Sequence, residues 1–179
     1  AKESIVNNPQ MLQQIQSIVD VLVSCFANGG KVLFCGNGGS AADAQHLAAE
    51  FSGRFYKNRK ALPAEALHCN TSYLTAVAND YSYDVIYARL IEGIGMPGDV
   101  LIGMSTSGNS PNVVKAMEAA RQLNMVTIAF TGENSGKMEQ SANYLMNVPS
   151  TITPRIQECH MLIGHIICEL VEAALFPNQ

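Results

Sequence analysis

Lys31-Val32-Leu33-Phe34-Cys35-Gly36-Asn37-Gly38-Gly39-Ser40 decides the architecture, together with the run Ala41 to Ser52 that follows it and carries His46 and Glu50. Five residues, four of them strongly apolar, read as a buried strand. Glycines then let the backbone turn sharply and approach a ligand closely. The helix that follows, with Ser40 as its expected N-cap, opens with unpaired N–H groups and a positive dipole end, which suit a phosphate. His46 and Glu50 are four residues apart and share a helix face. The segment therefore sets a His/Glu pair, able to hold a metal ion or move a proton, about two turns from an anion site.

Working outward, Met11, Leu12, Ile15, Ile18, Val19, Leu22, Val23 and Phe26 recur at steps of three and four. They predict an amphipathic helix over residues 8–28, stopped at Asn28-Gly29-Gly30. Beyond the opening segment, Ala64 to Cys69 reads as a short strand, Thr71 to Ala78 as a short helix, and Asp84 to Ile94 as another, closed by Gly95. Val100 to Met104 is a continuous apolar strand. Pro111 opens a helix that runs through Leu123. Met125 to Phe130 and Tyr144 to Val148 are further strands, with a short helical piece, Gly136 to Ser141, between them. Arg155 to Leu175 is a long, mostly apolar terminal helix.

Strands alternate with helices, and several strands are uninterrupted apolar runs. That pattern argues an α/β fold: a doubly wound, flavodoxin-like sheet of five parallel strands, sheet core 31–148, with helices on both faces. The 179 residues fit a single domain, 1–179. Such sheets bind ligands at the carboxyl ends of their strands, where both polar loops lie. The first and last helices are apolar over much of their surface, so an oligomer is expected.

Composition narrows the function classes. Net charge is −4, with 47% hydrophobic and 15% charged residues. This excludes an electrostatic nucleic-acid binder, and no run of 18 apolar residues predicts a membrane span. The five cysteines show no C-x-x-C spacing, so a cytoplasmic protein with reduced thiols is expected. One basic cluster, Arg54, Lys57, Arg59 and Lys60, reads as a solvated loop, from which Arg54 is placed to reach the site.

Ser105-Thr106-Ser107-Gly108-Asn109-Ser110 is the second candidate loop: hydroxyls and an amide between a strand and a helix start, a neutral cradle for phosphate. Neither loop carries Gly-x4-Gly-Lys-Ser/Thr or G-x-G-x-x-G, so a sugar phosphate fits better than a nucleotide. The terminal helix carries Gln157, Glu158, His160 and His165. Glu158 and His165 share a face. Gln157 and His165 are about 12 Å apart in rise and meet at one ion only by leaning together, so spacing does not choose among the four. His160 and His68 read as satisfied, partly buried histidines. Asn79-Asp80 reads as a turn, or as a contact for sugar hydroxyls.

The glycine loop, Asn79-Asp80, the Ser105 to Ser110 loop and Arg155-Ile156-Gln157-Glu158 together resemble the sugar isomerase (SIS) family over roughly residues 31–169. The resemblance implies one SIS domain and an aldose–ketose isomerase that converts sedoheptulose 7-phosphate to an aldoheptose 7-phosphate, the first step toward the ADP-heptose of the lipopolysaccharide core. It implies one Zn²⁺ per subunit held by His46, Glu50, Gln157 and His165, and so prefers Gln157 to Glu158. It implies catalysis by Glu50 and His165. It implies substrate contacts from Asn37, Gly38, Gly39, Ser40, Glu50, Arg54, Asn79, Asp80, Ser105, Thr106, Ser107, Ser110 and Gln157. It also implies a homotetramer with sites at subunit interfaces, without direct nucleic-acid or membrane binding. A sister group, non-enzymatic tetrameric regulators that bind the replication initiator DnaA, is matched by Ala42 and by Ala174-Leu175-Phe176-Pro177. That group lacks the carboxylate at the Glu50 position and the imidazole at the His165 position. Pro154 stands where several of the isomerases carry Asp.

Overall fold

All five strands pair in parallel, in the order β2-β1-β3-β4-β5. They are β1 (Val32–Gly36), β2 (Ala64–Ala66), β3 (Val100–Met104), β4 (Val126–Thr131) and β5 (Tyr144–Asn147). The computed structural model describes residues 1–178. Around the sheet lie α1 (Lys2–Val6), α2 (Pro9–Ala27), α3 (Gly39–Ser52), α4 (Thr71–Asp80), α5 (Ile86–Ile94), α6 (Pro111–Gln122) and α7 (Thr153–Leu175). Short 3₁₀ turns at Tyr83–Val85 and Gly136–Ser141 complete the chain.

The two-residue period of a strand sends alternate side chains to opposite faces. Val32 and Phe34 of β1, with Val100, Ile102 and Met104 of β3, join a core with α2, α3 and α7. Leu33 and Cys35, with Leu101 and Ala129, join a second core with α4, α5 and α6. Every residue of β1 and β3 is buried, which accounts for their unbroken apolar runs.

The chain leaves β1 toward one face and β3 toward the other, so a topological switch point lies between these neighbours. Their register, Val32 opposite Val100 and Gly36 opposite Met104, brings both carboxyl ends to the same level. The loops that follow them therefore open into one crevice.

Several boundaries differ from the sequence reading. Ser40 does not cap α3: Gly38 is the N-cap, and Ser40 is buried in the first helical turn. Gly38 adopts φ +55°, a left-handed conformation that favours glycine, so the helix starts earlier than the hydroxyl suggests. Asn79 and Asp80 belong to the last turn of α4 rather than to a turn after it. The strand expected over 64–69 ends at Ala66. Helix α1 has no counterpart in the sequence reading.

Candidate active site at the ends of β1 and β3

Helices α3 and α7 lie side by side and carry the first half of the site. Three pairs of neighbours mark their contact: Gly39 with Gln157, Leu47 with Gly164, and His46 with His165. The offset between the helices is nearly constant along them, so they run parallel. Close approach is possible because glycine faces the partner at both ends. A Cβ on Gly39 would stand 2.4 Å from the Gln157 amide nitrogen, and one on Gly164 would stand 2.5 Å from Leu47.

This packing brings three titratable groups together. Nε2 of His46 lies 3.0 Å from Glu50 Oε1 and 3.3 Å from His165 Nε2. Ligand atoms of His46, Glu50 and His165 all fall within 4.8 Å of one another, which makes the trio a possible metal site. The Phe55 ring stacks on His165 at 5.7 Å and gives the cluster one apolar wall. Arg54, next to Phe55, is exposed, and its guanidinium donates to the Phe55 carbonyl.

Gln157 stands beside Gly39, at the start of α3, toward the glycine loop. Asp43, which the sequence reading did not single out, lines an open hollow with Lys2, Pro154, Gln157, Glu158 and Met161. Its Oδ2 is buried without a hydrogen-bond partner among the described residues. Burial pushes this carboxyl above its usual range, against the opposing pull of His46.

The hydroxyl loop forms the other half. Ser105 is buried and shares a 2.9 Å hydrogen bond with Ser110, while Ser107 accepts from the Asn109 backbone N–H. Ser110 precedes α6, but its hydroxyl makes no cap bond and stays within the hydroxyl cluster. Gly108 is required here: at φ +65° its position would place a Cβ 1.9 Å from the Ser135 carbonyl oxygen.

Asn37 links the halves. Its side-chain amide pairs in both directions with Asn112 on α6, each bond 2.8 Å, and accepts from the Tyr83 hydroxyl at 3.1 Å. Tyr83 follows Asn79 and Asp80 closely, so the end of α4 is held near the glycine loop. The Asn79 amide donates to Asp80 at 2.9 Å, and both residues are exposed. Asn112 and Tyr83 were also missed; an amide directly after the helix-starting Pro111 is the only local signal for the first.

Two sequence expectations are corrected near the site. Arg59 is not part of a solvated loop. It is buried, ion-paired with buried Glu172 at 2.9 Å, and donates to the carbonyls of Glu50, Phe51, Gly53 and Lys60. His160 is wholly buried rather than partly so. One of its nitrogens bonds the Thr131 carbonyl at 3.1 Å, and its Nδ1 has no partner among the described residues.

Comparisons with known proteins place this geometry. Residues 5–132 match the SIS domain family. The chain is 52% identical over 179 residues to the phosphoheptose isomerase of Clostridium acetobutylicum, covering 100% of this chain and 91% of that protein. It is 54% identical over 160 residues to that of Aquifex aeolicus, covering 89% and 84%. Among solved structures, a phosphoheptose isomerase from Neisseria gonorrhoeae superposes with a TM-score of 0.86 at 43% identity, covering 91% of this chain and 87% of that one. One from Francisella tularensis superposes at 0.90 with 37% identity, covering 95% and 90%.

Proposed function

The chain belongs to the SIS domain family and, within it, to the phosphoheptose isomerases, and from that premise we propose how this site works: it interconverts sedoheptulose 7-phosphate and D-glycero-D-manno-heptose 7-phosphate through an enediol. The observation that carries the mechanism is the meeting of Glu50, His46 and His165 beside two phosphate-type loops at one switch point. The same meeting favours an enzyme over the replication-regulator reading, whose members lack the carboxylate and the second imidazole.

The reaction moves a proton between C1 and C2 and protons between their oxygens. Glu50 takes the proton from C1 of the ketose and returns it to C2. His165, on the facing helix, gives a proton to the C2 oxygen as the enediol forms and accepts the C1 hydroxyl proton as the aldehyde forms. Ser105, Thr106, Ser107 and Ser110 anchor the phosphate and so position the reacting carbons. Asn37, Gly38, Gly39, Ser40, Asn79, Asp80, Arg54 and Gln157 line the path of the sugar.

The trio also suits a divalent transition metal: two imidazoles and a carboxylate are a donor set that Zn²⁺ accepts. His46, Glu50 and His165 would hold it, Glu50 and His165 moving protons only when released from it, and the Gln157 amide oxygen would add a fourth donor by leaning from its place beside Gly39. Bound there, Zn²⁺ would polarise the C1 and C2 oxygens. The proposed assembly is a homotetramer with sites near its interfaces. Support comes from the exposed Val6, Leu12, Ile152 and Leu170 on or beside α1, α2 and α7. A reducing, cytoplasmic setting is supported by five free cysteines, four of them buried. No helix among the described residues is long and apolar enough to cross a membrane.

Turnover of sedoheptulose 7-phosphate, followed by proton NMR of the aldose, tests the reading. Conversion by the wild type, lost in both Glu50→Gln and His165→Ala while sugar phosphate still binds, is the expected result. Full activity in either variant would overturn the assignment.

A further inference from the structure

A chain of hydrogen bonds runs through the crevice and fixes which way the Asn37 amide faces. It starts at the Val113 backbone N–H in the first turn of α6, which donates to Asn112 Oδ1 at 3.0 Å. That bond sets the Asn112 amide, whose Oδ1 also accepts from Asn37 Nδ2 and whose Nδ2 donates to Asn37 Oδ1. The Tyr83 hydroxyl then donates to the same Asn37 Oδ1. An amide oxygen has two lone pairs and an amide nitrogen two N–H bonds. Both lone pairs of Asn37 Oδ1 are thus taken, and among the described residues a single side-chain N–H remains free.

We propose that Asn112 and Tyr83 are positioning residues that hold Asn37 as a donor only, aimed at an acceptor oxygen of the sugar phosphate. This rests on the isomerase reading above and deepens it. Asn112 is 1% exposed, a polar side chain kept in the interior at the junction of the two loops. A buried amide left unpaired is costly; this one is bonded at both ends, its Oδ1 accepting twice and its Nδ2 donating to Asn37, and it ties α6, which follows the hydroxyl loop, to the glycine loop. Tyr83 works from the outside, on the turn between α4 and α5. Four residues on, Tyr87 is buried and its hydroxyl donates to the Gly36 carbonyl, so two tyrosines of one segment hold the start of the glycine loop. A donor-only asparagine takes phosphate, carbonyl or hydroxyl oxygens and makes no bond as an acceptor.

A double-mutant cycle separates positioning from general support. Tyr83→Phe keeps the ring at an exposed position, so it folds even where Asn112→Ala does not. The expected result is a KM for sedoheptulose 7-phosphate raised about 2- to 10-fold in Tyr83→Phe, the worth of one hydrogen bond, with kcat within about twofold of wild type. Asn37→Ala raises KM further, and Tyr83→Phe combined with Asn37→Ala is no worse than Asn37→Ala alone. Additive losses, or a Tyr83→Phe enzyme equal to wild type, would overturn the proposal and leave the isomerase reading standing. A wild type that binds the sugar phosphate without turning it over would instead overturn the reaction. The same cycle, read as dissociation constants by calorimetry, then decides the inference, and a wild type that binds neither sedoheptulose 7-phosphate nor inorganic phosphate overturns both.

Discussion

His165 Nε2 lies 3.3 Å from His46 Nε2, across the contact of two parallel helices. Two imidazole nitrogens this close either share a proton or turn toward one cation, and Glu50 at 3.0 Å from the same His46 nitrogen supplies the negative charge such a cation needs. Zinc should therefore stabilise the folded protein. At a concentration about 100 times its dissociation constant the gain is about 2.7 kcal/mol, or roughly 5–10 °C in Tm for a chain of this size. Thermal unfolding with zinc or chelator checks this. His165→Ala should abolish the shift, and Gln157→Ala should reduce it. An unshifted wild type would end the metal assignment.

The helix contact that makes this meeting possible depends on Gly164. A methyl group there would lie 2.5–2.6 Å from both Leu47 terminal carbons, and Leu47 is buried. Overpacking costs about 1–3 kcal/mol, while alanine in place of glycine within a helix returns about 1 kcal/mol. Gly164→Ala should lose about 1 kcal/mol in chemical denaturation. It should also weaken zinc binding, because the helices part beside His165. Tight zinc binding together with lost stability would show that Leu47 yields and the helices do not.

The fold was largely legible because its signals are local. The apolar runs at Val100 to Met104 and Lys31 to Cys35, the glycine turn, and Pro111 each follow from period or backbone chemistry within a few residues, and the 3₁₀ turn at Gly136–Ser141 matches its expected range. His46 and Glu50 were visible as a pair for the same reason. What stayed hidden depends on register between distant elements. Nothing near Asp43 marks it as facing the start of α7, and nothing near Asn112 marks Asn37 as its partner. Arg59 sits in a run of cations that looks solvated; its carboxylate partner is at the far end of α7. Ser40 misled because a serine at a helix start is normally a cap, and here Gly38 turns the chain earlier.

Arg59 and Glu172 should matter more than their loop position suggests. Both side chains are almost fully buried. Burial alone would raise the Glu172 carboxyl, but the backbone N–H groups of Lys57, Phe55 and Tyr56, with Arg59, outweigh it and hold the carboxyl below its usual value. Removing one partner leaves a buried charge unpaired, at about 3–5 kcal/mol. Glu172→Ala should therefore destabilise the protein by that order in urea unfolding and loosen residues 53–60, the segment that carries Phe55 against His165. Hydrogen exchange of the Phe55, Tyr56 and Lys57 amides reads the second effect directly. Protection unchanged from wild type would place the ordering of that loop elsewhere.

His160 gives the chain a specific acid sensitivity. Burial drives its pKa down to about 4, and its bond to the Thr131 carbonyl only partly opposes this. In the unfolded chain an ordinary histidine titrates near 6.5. Between those values the unfolded state binds a proton that the folded state refuses, so stability is full above about pH 6.5 and falls as pH drops toward 4. The slope is about 1.4 kcal/mol per unit and the total about 3 kcal/mol. His160→Gln keeps a donor for Thr131 and removes the titration. Unfolding free energies at pH 7, 6 and 5 should then show a flatter decline in the variant than in the wild type. Parallel declines in the two proteins would assign the acid sensitivity to other groups, foremost His68, whose pKa is also lowered by burial.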